Sequence, residues 1–150
     1  MAEVTKLKEG QAVSVFERLS KIDTSNLKKE KMGKHTYLAW ADAWATVKKA
    51  CPDTSFQKHT FEYNHPENGI RQLPYMMDQF GYAYVQCTVS IEGIDVTETY
   101  MVLAQGNKAV TAPTSFQVNT ALQRCLTKCL AYHGFGIHIC RGEEFVQEEG

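Results

Sequence analysis

Over residues 82–92 apolar and polar side chains alternate without a break. Ala83, Val85, Cys87, Val89 and Ile91 fall on one side, and Tyr82, Tyr84, Gln86, Thr88 and Ser90 on the other. A period of two is the mark of a strand with one buried face. Glu92-Gly93 then turns the chain, and residues 94–103 return as an antiparallel partner, so the pair reads as a hairpin. Further on, the period becomes helical. Thr114 or Ser115 caps a segment that runs to about Tyr132. Val118, Leu122, Cys125, Leu126 and Cys129 cluster on one side of it, and Gln117, Thr120, Arg124 and Lys128 on the opposite side. Residues four apart lie about 40° apart around a helix axis, which is what separates the two stripes. Gly134 and Gly136 end this helix, and Ile137 to Cys140 reads as a short strand.

The earlier half is less regular. Residues 36–50 predict another helix, with Thr36 as N-cap and its alanines as strong formers. Tyr37, Trp40, Ala41, Trp44 and Val47 recur at helical spacing as its apolar face. Lys48 and Lys49 sit in the last turn, where they complement the helix dipole, and Cys51-Pro52-Asp53 stops it. Ahead of it, residues 1–34 read as an N-terminal segment: a short helix with a stripe of Val13, Phe16 and Leu19, then a mobile, solvated lysine-rich run over 28–34. Residues 54–63 are a weaker strand, and residues 64–81, with two prolines and two glycines, read as a long loop. The order is therefore helix, three antiparallel strands, helix, then an acidic tail over 142–150. The expected fold class is α+β in one domain: a helix followed by a three-stranded antiparallel β-sheet packed on a long helix.

Composition adds limits. A chain of 150 residues, 43% hydrophobic and 22% charged, is long enough to bury a core and ordinary for a globular protein. The polar N-terminus carries no secretory pattern, and no apolar run reaches membrane-spanning length. Neither a membrane contact nor secretion is therefore expected. Five cysteines in no framework spacing point to a reducing cytoplasm.

Charge changes the picture more. The net value is −1, but residues 1–49 sum to +4, 50–104 to −5, 105–141 to +4 and 142–150 to −4. Residues 105–141 hold no acidic side chain at all, and Lys108, Arg124, Lys128 and Arg141 supply their charge. Local field, not net charge, attracts a phosphate chain. Arg124 and Lys128 on one helical stripe, with Lys108 in the loop before, place cations on a rigid element as a nucleic-acid strand requires. A solvated helix face is the plainer explanation. It is weakened because no acid stands four residues away to form the usual surface pairs. Lys34, Lys48 and Lys49 are further candidates for phosphate contact.

Other motifs carry less. GNKAVT, residues 106–111, holds a glycine and a lysine but lacks the second glycine and the Lys-Ser/Thr pair of a phosphate loop, so ATP hydrolysis has no visible support. Cys125, Cys129 and His133 share a helix face, with His138 and Cys140 nearby, as zinc ligands would. That face is the apolar one, where cysteine serves as a small hydrophobe, so neither metal nor cofactor is expected. Trp40 and Trp44 can stack bases, but at this spacing they are better read as core anchors. No acid, base or nucleophile pattern marks a catalytic site, and the chain is read as a binding protein rather than an enzyme.

Three segments resemble a known family: TYLAWADAW, then GNKAV, then TALQRCLTKCLAYHGFGIHI with a trailing GEE. Together they resemble the phage-encoded single-strand annealing proteins of the Sak type. Those are similar in turn to the eukaryotic annealing protein of double-strand-break repair. The resemblance spans roughly residues 20–145. Its sharpest element is the pattern Ala121, Leu122, Arg124, Leu126, Leu130, Gly134 and Gly136. It implies a β-β-β-α core, assembly into a ring or helical filament, and annealing of complementary single-stranded DNA without ATP in a basic groove. It puts Arg124 and Lys108 in that groove. Eukaryotic relatives are more basic along this helix, where Gln123 and Thr127 stand here. Two other readings remain: a passive single-stranded nucleic-acid-binding module, and a metal-dependent nucleic-acid enzyme using the Cys/His set. The acidic tail is a candidate contact for a single-strand-binding protein.

Overall fold

A computed structural model describes residues 13–32 and 35–140, with the side chains of 30–32, 35–37 and 140 outside the description. The elements in order are α1 (Val15–Ser20), β1 (Lys29–Met32), β2 (His35–Leu38) and α2 (Trp40–Ala50). Then come β3 (Ser55–Lys58), β4 (Phe61–His65), β5 (Gly69–Leu73), β6 (Met76–Met77), β7 (Ala83–Ile91) and β8 (Ile94–Met101). Last are β9 (Leu103–Ala104), β10 (Lys108–Ala109), α3 (Ser115–Tyr132) and α4 (Ile137–Cys140).

Strand β7 is the spine. Its five alternate residues Ala83, Val85, Cys87, Val89 and Ile91 are buried as their alternation predicts. β8 pairs with it from Tyr84↔Met101 to Ile91↔Ile94. The two-residue turn between them needs positive φ at both positions, and Glu92 (49°) and Gly93 (83°) supply it. The other edge of β7 is shared, by β3 from Ser55↔Ser90 to Lys58↔Cys87 and by β6 at Met76↔Tyr84 and Met77↔Ala83. The sheet is thus antiparallel as expected, but it has four strands.

Helix α3 covers the buried face of β7 and β8. Thr114 caps it: its hydroxyl accepts from the Gln117 amide, and the Gln117 side chain accepts from the Thr114 amide. All five residues of the predicted apolar stripe are buried, joined by Ala121, Leu130 and Ala131. α2 lies beside α3 through Ala43 and Val47, and Trp44 meets Phe56 of β3 with ring centroids 6.2 Å apart. The α+β class is confirmed, with the long helix packed on the sheet.

The chain leaves α3 through Gly134, whose φ of +115° L side chains avoid. A Cβ there would stand 2.5 Å from the Phe16 carbonyl oxygen of α1, so the close crossing of α1 over this turn needs glycine. Residues 137–140 form a short helix, not the expected strand. Ile137 and Ile139 bond locally to Gly134 and Gly136, and the His138 ring reaches Thr24 Oγ1 at 2.8 Å.

Four further expectations are corrected. The helix predicted from 36 begins at Trp40, after Ala39, which makes no side-chain cap; Thr36 lies in a strand instead. Residues 35–38 pair with 29–32, so backbone hydrogen bonds to a neighbour override local helix preference. The same pairing makes a strand of 29–32, within the run read as mobile. In α2 the buried side is Ala43 and Val47, whereas Trp40 is 42% exposed and Ala41 is exposed. In α1 the buried pair is Val15 and Leu19, while Val13 and Phe16 face outward.

The expected loop over 64–81 is largely structured. β4 and β5 pair through five positions, from Phe61↔Leu73 to His65↔Gly69, and β6 rejoins the main sheet. This arm is exposed on both faces for most of its length, so it has no alternation for the sequence to show.

Two substitutions test this packing by thermal or denaturant unfolding. Thr114→Ala removes the cap of α3 and is expected to cost about 1 kcal/mol. Gly134→Ala is expected to cost more than about 1 kcal/mol, because it adds a clash to an unfavourable φ.

Candidate nucleic-acid interface

α3 runs antiparallel to β8: Cys125 Sγ donates to the Glu98 carbonyl (3.4 Å) and Cys129 Sγ to the Val96 carbonyl (3.7 Å). α2 occupies the side of α3 toward β3. The polar stripe Gln117, Thr120, Arg124 and Lys128 therefore lies along the β8 side, half-buried.

On that side Lys128 is not alone. Its ammonium stands 3.4 Å from a Glu98 carboxylate oxygen and 5.7 Å from the centre of the Tyr100 ring. Residues 105–141 hold no acid, but β8 brings one from outside that segment. Glu98 pairs with Cys87 in register and so shares the helix-facing side of the sheet. The weakness seen in the solvated-face explanation disappears for Lys128. Arg124, one turn earlier, is half-buried and likewise engaged.

Lys108 is exposed on β10. Its hairpin turns through Gly106 and Asn107, both at positive φ, and pairs Lys108 with Ala104. α3 touches β9, and the Ala83 amide donates to the Val110 carbonyl at 2.7 Å, which ties the hairpin to the start of β7. Arg124 and Lys128 thus share one stripe of α3, and Lys108 lies on the hairpin that packs against that helix through β9.

The Lys48 ammonium donates to the Pro52 and Thr54 carbonyls, both at 2.7 Å, and closes the end of α2. It also lies 5.9 Å from the Trp44 ring centre, so its role is structural. Lys49 is exposed on α2. Lys34 lies outside the described residues, as do Arg141 and the acidic tail. The core-anchor reading suits Trp44 but not the exposed Trp40, which remains available for stacking.

One feature was missed from the sequence. The β4–β5 arm and β6 enclose a cleft of about 340 Å³ lined by Phe61, Tyr63, Arg71, Tyr75, Met76 and Met77 among others. Aromatic rings beside a guanidinium form a surface on which bases stack. The signal was present as FEYNH and IRQLPYMM, but the prolines and glycines between them read as loop.

The Cys/His set regroups. Cys125 and Cys129 do converge, but their third neighbour is Cys87 of β7, with Sγ 2.9 Å from Cys125 and 3.6 Å from Cys129. The His133 ring bonds to the Val89 carbonyl at 2.9 Å and His138 to Thr24, while the Cys140 side chain is undescribed. Hydrogen bonds from Cys125 and then Cys87 pull the Cys129 thiol well below the usual range. Hydrogen bonds with Cys125 and then Cys129, ahead of burial, hold the Cys87 proton well above it.

The family model described as Sak Single Strand Annealing Protein matches residues 14–150. The chain belongs to this family of single-strand annealing proteins, as its motifs indicated. Membership implies annealing of single-stranded DNA in recombination. No curated protein and no solved structure matches it. Among the described residues no helix is long and apolar enough to cross a membrane.

The Lys128–Glu98 pair can be measured directly. Both side chains are partly exposed, 42% and 16%, so solvent screens the pair. A double-mutant cycle with Lys128→Ala and Glu98→Ala is expected to return a coupling of about 0.2–1 kcal/mol in unfolding free energy, shrinking as salt rises.

Proposed function

We propose that this chain is a phage recombination protein of the bacterial host cytoplasm. It binds single-stranded DNA and anneals complementary strands without ATP, as an oligomeric ring or filament. The observation that carries the reading is the family match over residues 14–150. Lys108, exposed on β10, and Arg124 and Lys128, half-buried on one stripe of α3, support it.

The chemistry asked of the protein is modest. An annealer holds the phosphate backbone and leaves base edges free, so it needs cations and no base readout. Holding a strand extended removes the hairpins that block pairing, and no bond is made or broken. Glu98 offsets part of the charge of Lys128, so one subunit offers a weak groove. A closed or helical array of identical weak sites gives avidity that one site lacks. The exposed apolar side chains of the arm and its surroundings, Ile70, Met76, Met77 and Phe80, suit a subunit contact better than the outer face of β7. That outer face is already occupied by its own hydrogen bonds, among them His59–Thr88, Thr88–Thr97 and Gln86–Thr99. The acidic tail would serve as a contact for a single-strand-binding protein.

The test is the rate at which the protein pairs two complementary labelled oligonucleotides, with neither ATP nor metal, across a salt series. Acceleration that fades as salt rises supports the reading. Strand binding without acceleration would leave a passive single-strand binder, and no binding would remove the nucleic-acid reading altogether.

The side chains are tested by the same assay. Arg124→Ala combined with Lys128→Ala is expected to weaken strand binding and to flatten its salt dependence by about 0.7 for each phosphate no longer neutralised. Glu98→Gln is expected to do the reverse, by releasing Lys128. Normal binding by the double variant would move the groove elsewhere, and the arm cleft with Arg71 would be the next place to test.

A further inference from the structure

Three buried sulfurs meet in the seam between sheet and helix. Cys125 and Cys129 stand one turn apart on the face of α3 that packs against β7, and Cys87 is the middle residue of the inward-facing row of β7. Each of the three residues is fully buried. All three sulfurs lie within 4.8 Å of one another, which no other three His, Cys, Asp or Glu ligand atoms achieve among the described residues.

We propose that Cys87, Cys125 and Cys129 form a three-thiolate site for a thiophilic d10 metal ion, zinc or copper(I), which pins α3 to the centre of the sheet.

The spacing favours a shared ion. Three sulfurs bound about 2.3 Å from one ion stand about 3.7–4.0 Å apart. Cys87 and Cys129 are already 3.6 Å apart, and Cys87 and Cys125 need to separate from 2.9 Å by roughly 1 Å. A disulfide would use only two of the sulfurs, leave the third beside it, and require an oxidant to reach a closed core. Packing alone would explain three small apolar groups, since free cysteine fills cores readily. It does not require three sulfurs to converge on one point from two elements.

The donors also set the kind of ion. Thiolates select soft cations, copper(I) and zinc among them, and exclude magnesium and calcium. Zinc would complete four ligands with a fourth donor. The Glu98 and Val96 carbonyls, each next to one of the sulfurs, are the oxygens nearest to hand. Copper(I) is satisfied by three thiolates in a closed, dry site. Binding releases the thiol protons to solvent, so either ion binds more weakly as pH falls. The sulfurs lie on the buried face of α3 and the proposed strand-binding side chains on its half-buried stripe, and the metal test is independent of DNA.

The experiment uses the whole chain, purified reduced and without chelator. Bound zinc and copper are measured by elemental analysis. The metal-free protein is then titrated with cadmium(II), and thiolate-to-metal charge-transfer absorption is recorded. Zinc(II) and copper(I) are added in competition. The expected result is one equivalent per chain, a raised unfolding temperature with metal, and displacement by whichever ion the site prefers. Cys129→Ala, a small apolar replacement suited to a core position, is expected to weaken binding by more than about 100-fold, beyond the usual effect of losing an outer hydrogen-bond partner. Cys51→Ala and Cys140→Ala are expected to leave it unchanged. A folded, reduced wild-type chain that gives no charge-transfer band would overturn the site. So would a mass two hydrogens lower, which reports a disulfide, or a Cys129→Ala chain that binds as tightly as wild type.

Discussion

The seam between α3 and β7 is the contact on which the other elements depend. Val85, Cys87, Val89 and Ile91 on the strand, and Cys125, Cys129 and Leu130 on the helix, are wholly buried. Burial of each larger side chain there stabilises the fold by about 1.5–3 kcal/mol. β8 hangs on one edge of β7, and β3 and β6 share the other. α2 then leans on the flank of α3 that β8 leaves free. Cysteine is small, and three of them at the centre of the seam let helix and strand approach closely there.

The rotation of α3 about its own axis follows from this contact, and with it the direction of the polar stripe. Once Cys125 and Cys129 face Cys87, Arg124 and Lys128 must lie toward β8. Glu98 is on the helix-facing side of β8 because it is in register with Cys87. The ion pair between Lys128 and Glu98 is therefore a consequence of sheet register, and so is the reduced charge available to a phosphate chain. In the proposed annealing role this favours many weak sites over one strong one, with release of the paired strands kept easy.

The β4–β5 arm obeys a different rule. It is exposed on both faces over most of its length, it keeps its own two-strand pairing, and its aromatic and methionine side chains are turned toward a cleft or solvent. A two-stranded hairpin is marginal alone in water. Its exposed apolar surface is suited to a contact with something outside it.

The alternation over β7 and the capped helical stripe of α3 were legible because each element buries one face, and burial of one face imposes a period. The family was legible from motifs on α3, on the hairpin before it and on residues 36–44, where residue identity carried the resemblance even though the local structure was misassigned. Residues 35–38 were misread because strand pairing with 29–32 is decided by a neighbour that local propensity does not see. The arm was misread because an element exposed on both faces has no period. The partner of Lys128 lies 30 residues away on strand β8, and Cys87 lies 38 residues from Cys125. Sequence spacing can place side chains on one face of their own element. Which faces meet is decided by sheet register and by the rotation of a helix over it, and those belong to the folded chain alone.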